Sequence, residues 1–330
     1  MVRLRRVSAS MPGWSRVRHG RGFRYLDESG TTLETVDIHR CKKLVIPPAW
    51  TDVWICPIEN GHLQAVGTDD AGRRQYLYHP DWRTRRDAEK FVHMEQFARS
   101  VIRHRQAARR DLGGDLDLTT VSAAAFSLLD LGMFRIGSDR YTEENESYGL
   151  TTLEKEHVTR NGRGLTFSYT AKSEQEVEVT VRDDRVGALL DRLLRRRGGG
   201  DRLLAFKDGR RWRDLVADDV NEYVKQRLGE EFSAKDFRTW RGTVIGAHAL
   251  AKSDASSKTA RRRSVAEAMR EVGDHLGNTA TVARGSYVDP RVVDLFNDGI
   301  TVAAGNRSIA PGAPVSRTLE RQVLRLLKKA

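Results

Sequence analysis

The sequence predicts an α+β protein: a small β-rich N-terminal domain, then a larger, mainly α-helical domain that carries a small inserted sheet. Three observations predict it. Residues 23–86 alternate short apolar runs with turn signals. From Asp87 onward the apolar residues recur at helical spacing. Between 149 and 182 the period returns to two before helices resume. With 330 residues, 39% of them hydrophobic, the chain is long and apolar enough to bury a core in each part.

The N-terminal elements follow from their punctuation. Gly22–Asp27 precedes the turn signal Glu28-Ser-Gly, and Val53–Cys56 is a short apolar run ahead of Pro57. Asn60-Gly61 is a hairpin turn leading into His62–Gly67. Asp69-Asp-Ala-Gly72 turns the chain into Gln75–His79, where aromatic and aliphatic side chains alternate, while Pro47-Pro48 breaks any regular element. Residues 1–22 are rich in arginine and serine and contain no acid; they read as a basic arm, loose and able to touch DNA, rather than as a transit peptide.

In the second domain, Asp87–Arg110 places Phe91, Met94, Phe97 and Val101 on one helix face. Val121–Leu131 is a nearly continuous apolar helix suited to a core. Gly149–Leu153, His157–Thr159, Leu165–Ala171 and Glu176–Arg182 read as the inserted strands, with Lys172-Ser-Glu-Gln175 a turn between the last two. Arg195-Arg-Arg-Gly-Gly-Gly200 is a flexible basic break. Asp218–Leu228, Asp236–Lys252, Ala260–Leu276 and Arg317–Lys329 read as helices.

Charge narrows the partner. The formal net charge is +12, and neutralising phosphates releases counterions, so a polyanion is favoured. Cys41 and Cys56 are too few for a four-ligand zinc site and read as buried free thiols. No GxxxxGK[ST], HExxH or GxSxG motif occurs, so the usual marks of ATP use, zinc proteolysis and a serine nucleophile are missing. The acids of 111–117 and Asp218-Asp219 read as solvated surface rather than as magnesium ligands. No run of about 18 apolar residues suggests a membrane span.

What remains is a set of residues in unusual settings. Arg135 emerges directly after the apolar helix, either as a snorkelling arginine or as an anion contact. Asp236 reads as a helix cap, which would put Arg238 in the first turn, where backbone amides favour anions. Asp289-Pro290 is a helix start, leaving Tyr287 on the loop before it. Taken alone, a tyrosine there packs more often than it reacts.

The motifs around these residues make the pattern specific. Arg135-Ile-Gly-Ser-Asp-Arg-Tyr-Thr-Glu-Glu-Asn-Glu-Ser-Tyr-Gly-Leu-Thr-Thr-Leu153 with His157-Val158, Ile46-Pro-Pro-Ala-Trp50-Thr-Asp-Val-Trp-Ile-Cys-Pro57, Gly61-His-Leu-Gln-Ala-Val-Gly67 and Gly72-Arg-Arg-Gln-Tyr-Leu-Tyr-His79 stand in order along residues 23–297. Together they resemble the type IB DNA topoisomerases of the poxvirus-like bacterial branch. The resemblance implies two domains, 23–86 and 87–330, that form a DNA clamp. It implies relaxation of supercoiled duplex DNA through a 3′-phosphotyrosyl intermediate, without ATP, metal or other cofactor, by a monomer in the bacterial cytoplasm at the nucleoid.

Residue by residue, the resemblance makes Tyr287 the nucleophile, Arg135 and Arg238 the clamp on the phosphate, and Lys172 the general acid. Asn278 stands where poxviral relatives carry a histidine, so a neutral amide takes the place of an imidazole. Arg73, Arg74, Gln75, Tyr76, Tyr78 and Tyr141 become the DNA contacts. Tyr76 and Tyr78 lie two apart on one strand and therefore share a face. A tyrosine recombinase would use the same chemistry, yet Arg238-Thr-Trp-Arg lacks the His-x-x-Arg motif of those enzymes. The other alternative, an inactive DNA-binding relative, rests on Asn278 alone.

Overall fold

The computed structural model describes the chain apart from residues 1–2, 133, 140–141, 143–145, 163, 173, 304, 306–308 and 330. Tyr141 therefore lies outside the described residues. The chain forms two compact units, Met1–Val92 and His93–Ala330.

The first unit is built on one antiparallel sheet of five strands, β1 (Trp14–His19), β2 (Gly22–Leu26), β3 (Thr51–Ile55), β4 (Leu63–Thr68) and β5 (Arg74–Tyr78), in the order β2-β1-β3-β4-β5. Helix α1 (Thr35–Lys43) lies between β2 and β3 in sequence. Tyr25, Cys41, Ile46, Val53, Ile55 and Ala65 form the core. Both cysteines are buried free thiols, and burial pushes the Cys41 thiol up to about 11.

The structure corrects the reading of residues 1–22 as a loose arm. Residues 14–19 are the second strand of the sheet, paired with both β2 and β3. Upstream, the Arg5 amide donates to the Asn60 carbonyl and the His62 amide donates to the Arg5 carbonyl. The physical reason lies partly in Arg16. Its buried guanidinium donates to the carbonyls of Ile46, Pro47 and Trp50, each at 2.8 Å, and so satisfies the loop that Pro47-Pro48 keeps out of regular pairing.

The second unit begins within α2 (Pro80–Asp111), which starts seven residues before the periodicity alone suggests, since Pro80 is well suited to an opening helical position. Helix α3 (Leu118–Gly132) follows, then a three-stranded antiparallel sheet of β6 (Val158–Asn161), β7 (Gly164–Ala171) and β8 (Gln175–Val181). Gly149–Leu153, expected as a strand, is a turn. After α4 (Asp184–Leu194), a hairpin of β9 (Ala205–Asp208) and β10 (Arg211–Asp214) turns at Gly209, whose φ is +60°. The sequence hides this hairpin because charged residues fill its strands.

The remaining helices are α5 (Ala217–Leu228), α6 (Ala234–Ala251), α7 (Lys258–Leu276), α8 (Pro290–Asn297) and α9 (Arg317–Leu327). Helix α6 is the centre: Phe237 through Leu250 are all buried, and α3, α5, α7, α8 and α9 pack around it. The expected flexible break at 195–200 is likewise pinned. Buried Arg196 donates to the carbonyls of Leu193, Gly199, Arg202 and Leu203, which folds the glycines back onto the helix end.

Helix α9 is locked to α6 by a buried carboxylate. Glu320, 2% exposed, accepts two bonds from Arg105, each 2.9 Å, and one from Trp240 Nε1 at 3.0 Å. Arg105 also forks onto Asp130. Truncating Glu320 would leave the guanidinium and the indole short of an acceptor. Glu320→Ala is expected to cost about 3–5 kcal/mol of stability, measured as a lowered midpoint in urea unfolding; an unchanged midpoint would refute the lock.

Candidate active site

A cleft of about 430 Å³ in the second unit is lined by Arg135, Tyr169, Gln175, Arg238, Gly277 and Asn278, among others. Each reaches it for a local reason. Helix α6 starts with a capping box: the Ser233 amide donates to Asp236 Oδ2 at 2.8 Å. This corrects the sequence reading, in which Asp236 itself is the cap. Ser233 is the cap, so Arg238 stands in the second turn, only 6% exposed, away from the free amides of the helix start.

Arg238 instead donates to the Leu276 carbonyl at 2.6 Å, at the end of α7. Gly277 caps that helix with φ +58°, a left-handed conformation natural to glycine. The Gly277 carbonyl accepts from Arg135 Nη2 at 2.9 Å, and the same nitrogen donates to Asn278 Oδ1 at 3.2 Å. Asn278 Nδ2 returns to the Leu276 carbonyl at 2.9 Å. Both guanidinium groups and the amide thus meet at one helix C-terminus, whose unpaired carbonyls and negative dipole end suit cations.

Arg135 is held at its backbone as well. Leu150 N donates to Arg135 O and Thr151 N to Ile136 O, both at 2.8 Å. This docking explains why 149–153 is a turn and not a strand. It also requires Gly149, since a Cβ there would lie 2.4 Å from Gly137 Cα.

Tyr287 is the last residue of a single π-helical turn, Ala283–Tyr287, rather than a plain loop residue. Asp289 does cap α8, with Pro290 first in the helix. The Arg238 guanidinium carbon sits 5.2 Å from the Tyr287 ring centroid. Burial pulls the Arg238 pKa below its ordinary value; the neighbouring Tyr287 counters this, and the charge of Arg135 adds to it. Tyr169, on the cleft wall, is pushed up to about 12 by burial, with Arg238 and Arg135 opposing.

Sequence reasoning missed the residues that seat Tyr287. A Cβ at Gly242 would stand 2.9 Å from both Tyr287 Cβ and Tyr287 O, so α6 approaches the tyrosine along a strip without side chain. Thr243 Oγ1 donates to Tyr287 O and accepts from Asp289 N, both at 3.2 Å. Gly246 meets Val288, and Gly273 lies under the Asn278 carbonyl, where a Cβ would be 2.6 Å away. Gly242 and Gly246, four apart within one helical segment, are the signal that could have found them.

Lys172 is exposed in the turn joining β7 to β8, just past Ala171, which lines the cleft. In the first unit, Tyr76 and Tyr78 share a face as expected, their rings stacked 6.3 Å apart, and Tyr76 is 50% exposed. Arg73 and Gln75 are both held by Asp69, the latter at 2.8 Å, while Arg74 is exposed. Among the described residues, no three His, Cys, Asp or Glu side chains gather where they could hold a metal ion, and no helix is long and apolar enough to cross a membrane.

Residues 79–301 match the family model of the eukaryotic DNA topoisomerase I catalytic core, and 22–69 that of the bacterial DNA topoisomerase IB N-terminal domain. The chain is 31% identical over 301 residues to DNA topoisomerase 1B of Acanthamoeba polyphaga mimivirus, covering 87% of this chain and 88% of that one. The chain belongs to the type IB DNA topoisomerases. DNA topoisomerase I of monkeypox virus is 20% identical over 238 residues, 71% of this chain and 72% of that one. A type IB topoisomerase acts on duplex DNA, cutting and rejoining one strand.

The Gly242 contact gives a direct test of this topoisomerase. Gly242→Ala is expected to displace Tyr287, the nucleophile that the family resemblance implies, and so to slow strand cleavage by roughly a hundredfold while DNA binding persists. Single-turnover cleavage beside a gel-shift titration measures both; wild-type cleavage would remove the close approach from the account.

Proposed function

We propose that Tyr287 attacks a backbone phosphorus of duplex DNA with Arg135, Arg238, Asn278 and Lys172 as its partners. The observation that carries this is the meeting of Arg135, Arg238 and Asn278 on one helix end, with Arg238 over the Tyr287 ring. The Tyr287 Oη–P bond forms as the P–O5′ bond breaks. The phenolic proton passes to solvent, and Lys172 gives a proton to the departing 5′ oxygen.

Negative charge grows on the non-bridging oxygens in the transition state. Two guanidinium groups, with donors beyond those used on the carbonyls, clamp those oxygens and take the part a metal plays elsewhere. Asn278 has one amide hydrogen left after its bond to Leu276 and adds a weaker, neutral donor. The phosphotyrosyl bond conserves the energy of the phosphodiester, so resealing proceeds without ATP. While the strand is open, the duplex swivels and supercoils relax.

Strand β5 and the turn before it support a DNA-contacting role for the first unit. Stacked Tyr76 and Tyr78 present ring faces to sugars, and Arg73 and Gln75, ordered by Asp69, present donors to phosphates or base edges. Arg74 adds charge. One tyrosine cuts one strand, so we assign the activity to a monomer.

Tyr287→Phe is expected to abolish relaxation of supercoiled plasmid in EDTA without nucleotide, with gel-shift affinity intact; persisting relaxation sinks the assignment. In single-turnover cleavage, Arg238→Ala should lose roughly a hundredfold to a thousandfold. Asn278→Ala should lose less, because a neutral donor is removed, and the reverse order would contradict its minor part.

A further inference from the structure

Gln175 is a residue on the cleft wall that the chemistry above leaves unused. It opens β8 and pairs with Ala171, closing the turn that holds Lys172. Its side chain lies against Gly277: a Cβ on that glycine would stand 3.0 Å from Gln175 Oε1. Arg135 is hydrogen-bonded to the carbonyl of this same Gly277. Gln175 Oε1 is buried and accepts no hydrogen bond among the described residues.

A buried acceptor without a donor is costly and is normally completed by a ligand or a moving group. Phosphate oxygens cannot complete it, since they too are acceptors. A donor is required, and the nearest cation by chain position is the Lys172 ammonium, on a flexible four-carbon stem in the turn that Gln175 closes. We infer that in the DNA-bound enzyme Gln175 Oε1 accepts from Lys172 Nζ and holds the ammonium inside the cleft, beside the helix end that bears Arg135, Arg238 and Asn278.

A neutral amide suits this task. It fixes the ammonium by a charge-assisted bond without the full countercharge of a carboxylate, which would hold the proton back. Gln175 is thus a positioning residue acting through Lys172, and the assignment rests on the reading of Lys172 as general acid. It also explains Gly277 twice over, by its left-handed φ and by the space that Gln175 occupies.

The test uses duplexes with an ordinary phosphodiester or a 5′-bridging phosphorothiolate at the scissile position, in single-turnover cleavage. A thiol ionises near pH 8.5 and leaves without a donated proton. On the ordinary duplex, Gln175→Ala and the near-isosteric Gln175→Met are both expected to lose roughly tenfold to a hundredfold. On the phosphorothiolate both should approach the wild-type rate, which also shows that they are folded. Wild-type cleavage by Gln175→Met would make the role one of packing and overturn the assignment. Equal losses on both duplexes would overturn it too, provided Lys172→Ala is rescued by the phosphorothiolate. If Lys172→Ala is not rescued, the general-acid reading itself fails, and this assignment with it.

Discussion

Two carbonyl oxygens at the end of α7, those of Leu276 and Gly277, gather the site. Arg238 reaches them from α6, Arg135 from the segment after α3, and Asn278 from the residue that follows. A helix leaves its last carbonyls unpaired, and here guanidinium groups serve as the caps. The same bonds keep two like charges together in a cleft, a repulsion that bare side chains in water would relieve by moving apart. The cleft is therefore organised by the α7 terminus, and its cations are held in place by main-chain carbonyls.

That terminus is fixed only because α6 and α7 lie close. Gly242, Gly246 and Gly273 remove the side chains that would hold Tyr287, Val288 and Asn278 away. Thr243 then stitches both sides of Tyr287 to the helix. On its other side, α6 is tied through Trp240 to Glu320 of α9, which also takes Arg105 of α2. Tyr287, on a short π-helical turn, gains its fixed position from this rigid, buried helix beneath it.

Much of the fold was legible because its periods are strong. The apolar α3, the alternating valines of β8 and the Asp289-Pro290 start of α8 stand where the sequence puts them. What was not legible depends on long-range pairing. Residues 14–19 look like a basic tail because the groups that order the N-terminus, the carbonyls of Ile46, Pro47, Trp50 and Asn60 and the amide of His62, lie far along the chain. Gly149–Leu153 has strand-like composition but is needed as a dock for Arg135. In the cleft, the motifs pointed to Arg135, Arg238 and Tyr287, while Ser233, Gly242 and Thr243, which fix where Arg238 and Tyr287 stand, carry no motif at all.

Arg16, Arg196 and Arg238 share a habit described above one case at a time: each spends its guanidinium on main-chain carbonyls. A planar fork can bridge several oxygens at fixed angles, whereas an ammonium offers a single point. Arginine and lysine are therefore not interchangeable within this chain, although they are equal in the charge count. A chain with lysine at positions 16, 196 and 238 would keep the same formal +12 and leave those carbonyls unbridged. Part of the basic character that first suggested a polyanion, Arg16 and Arg196 among it, is therefore internal architecture.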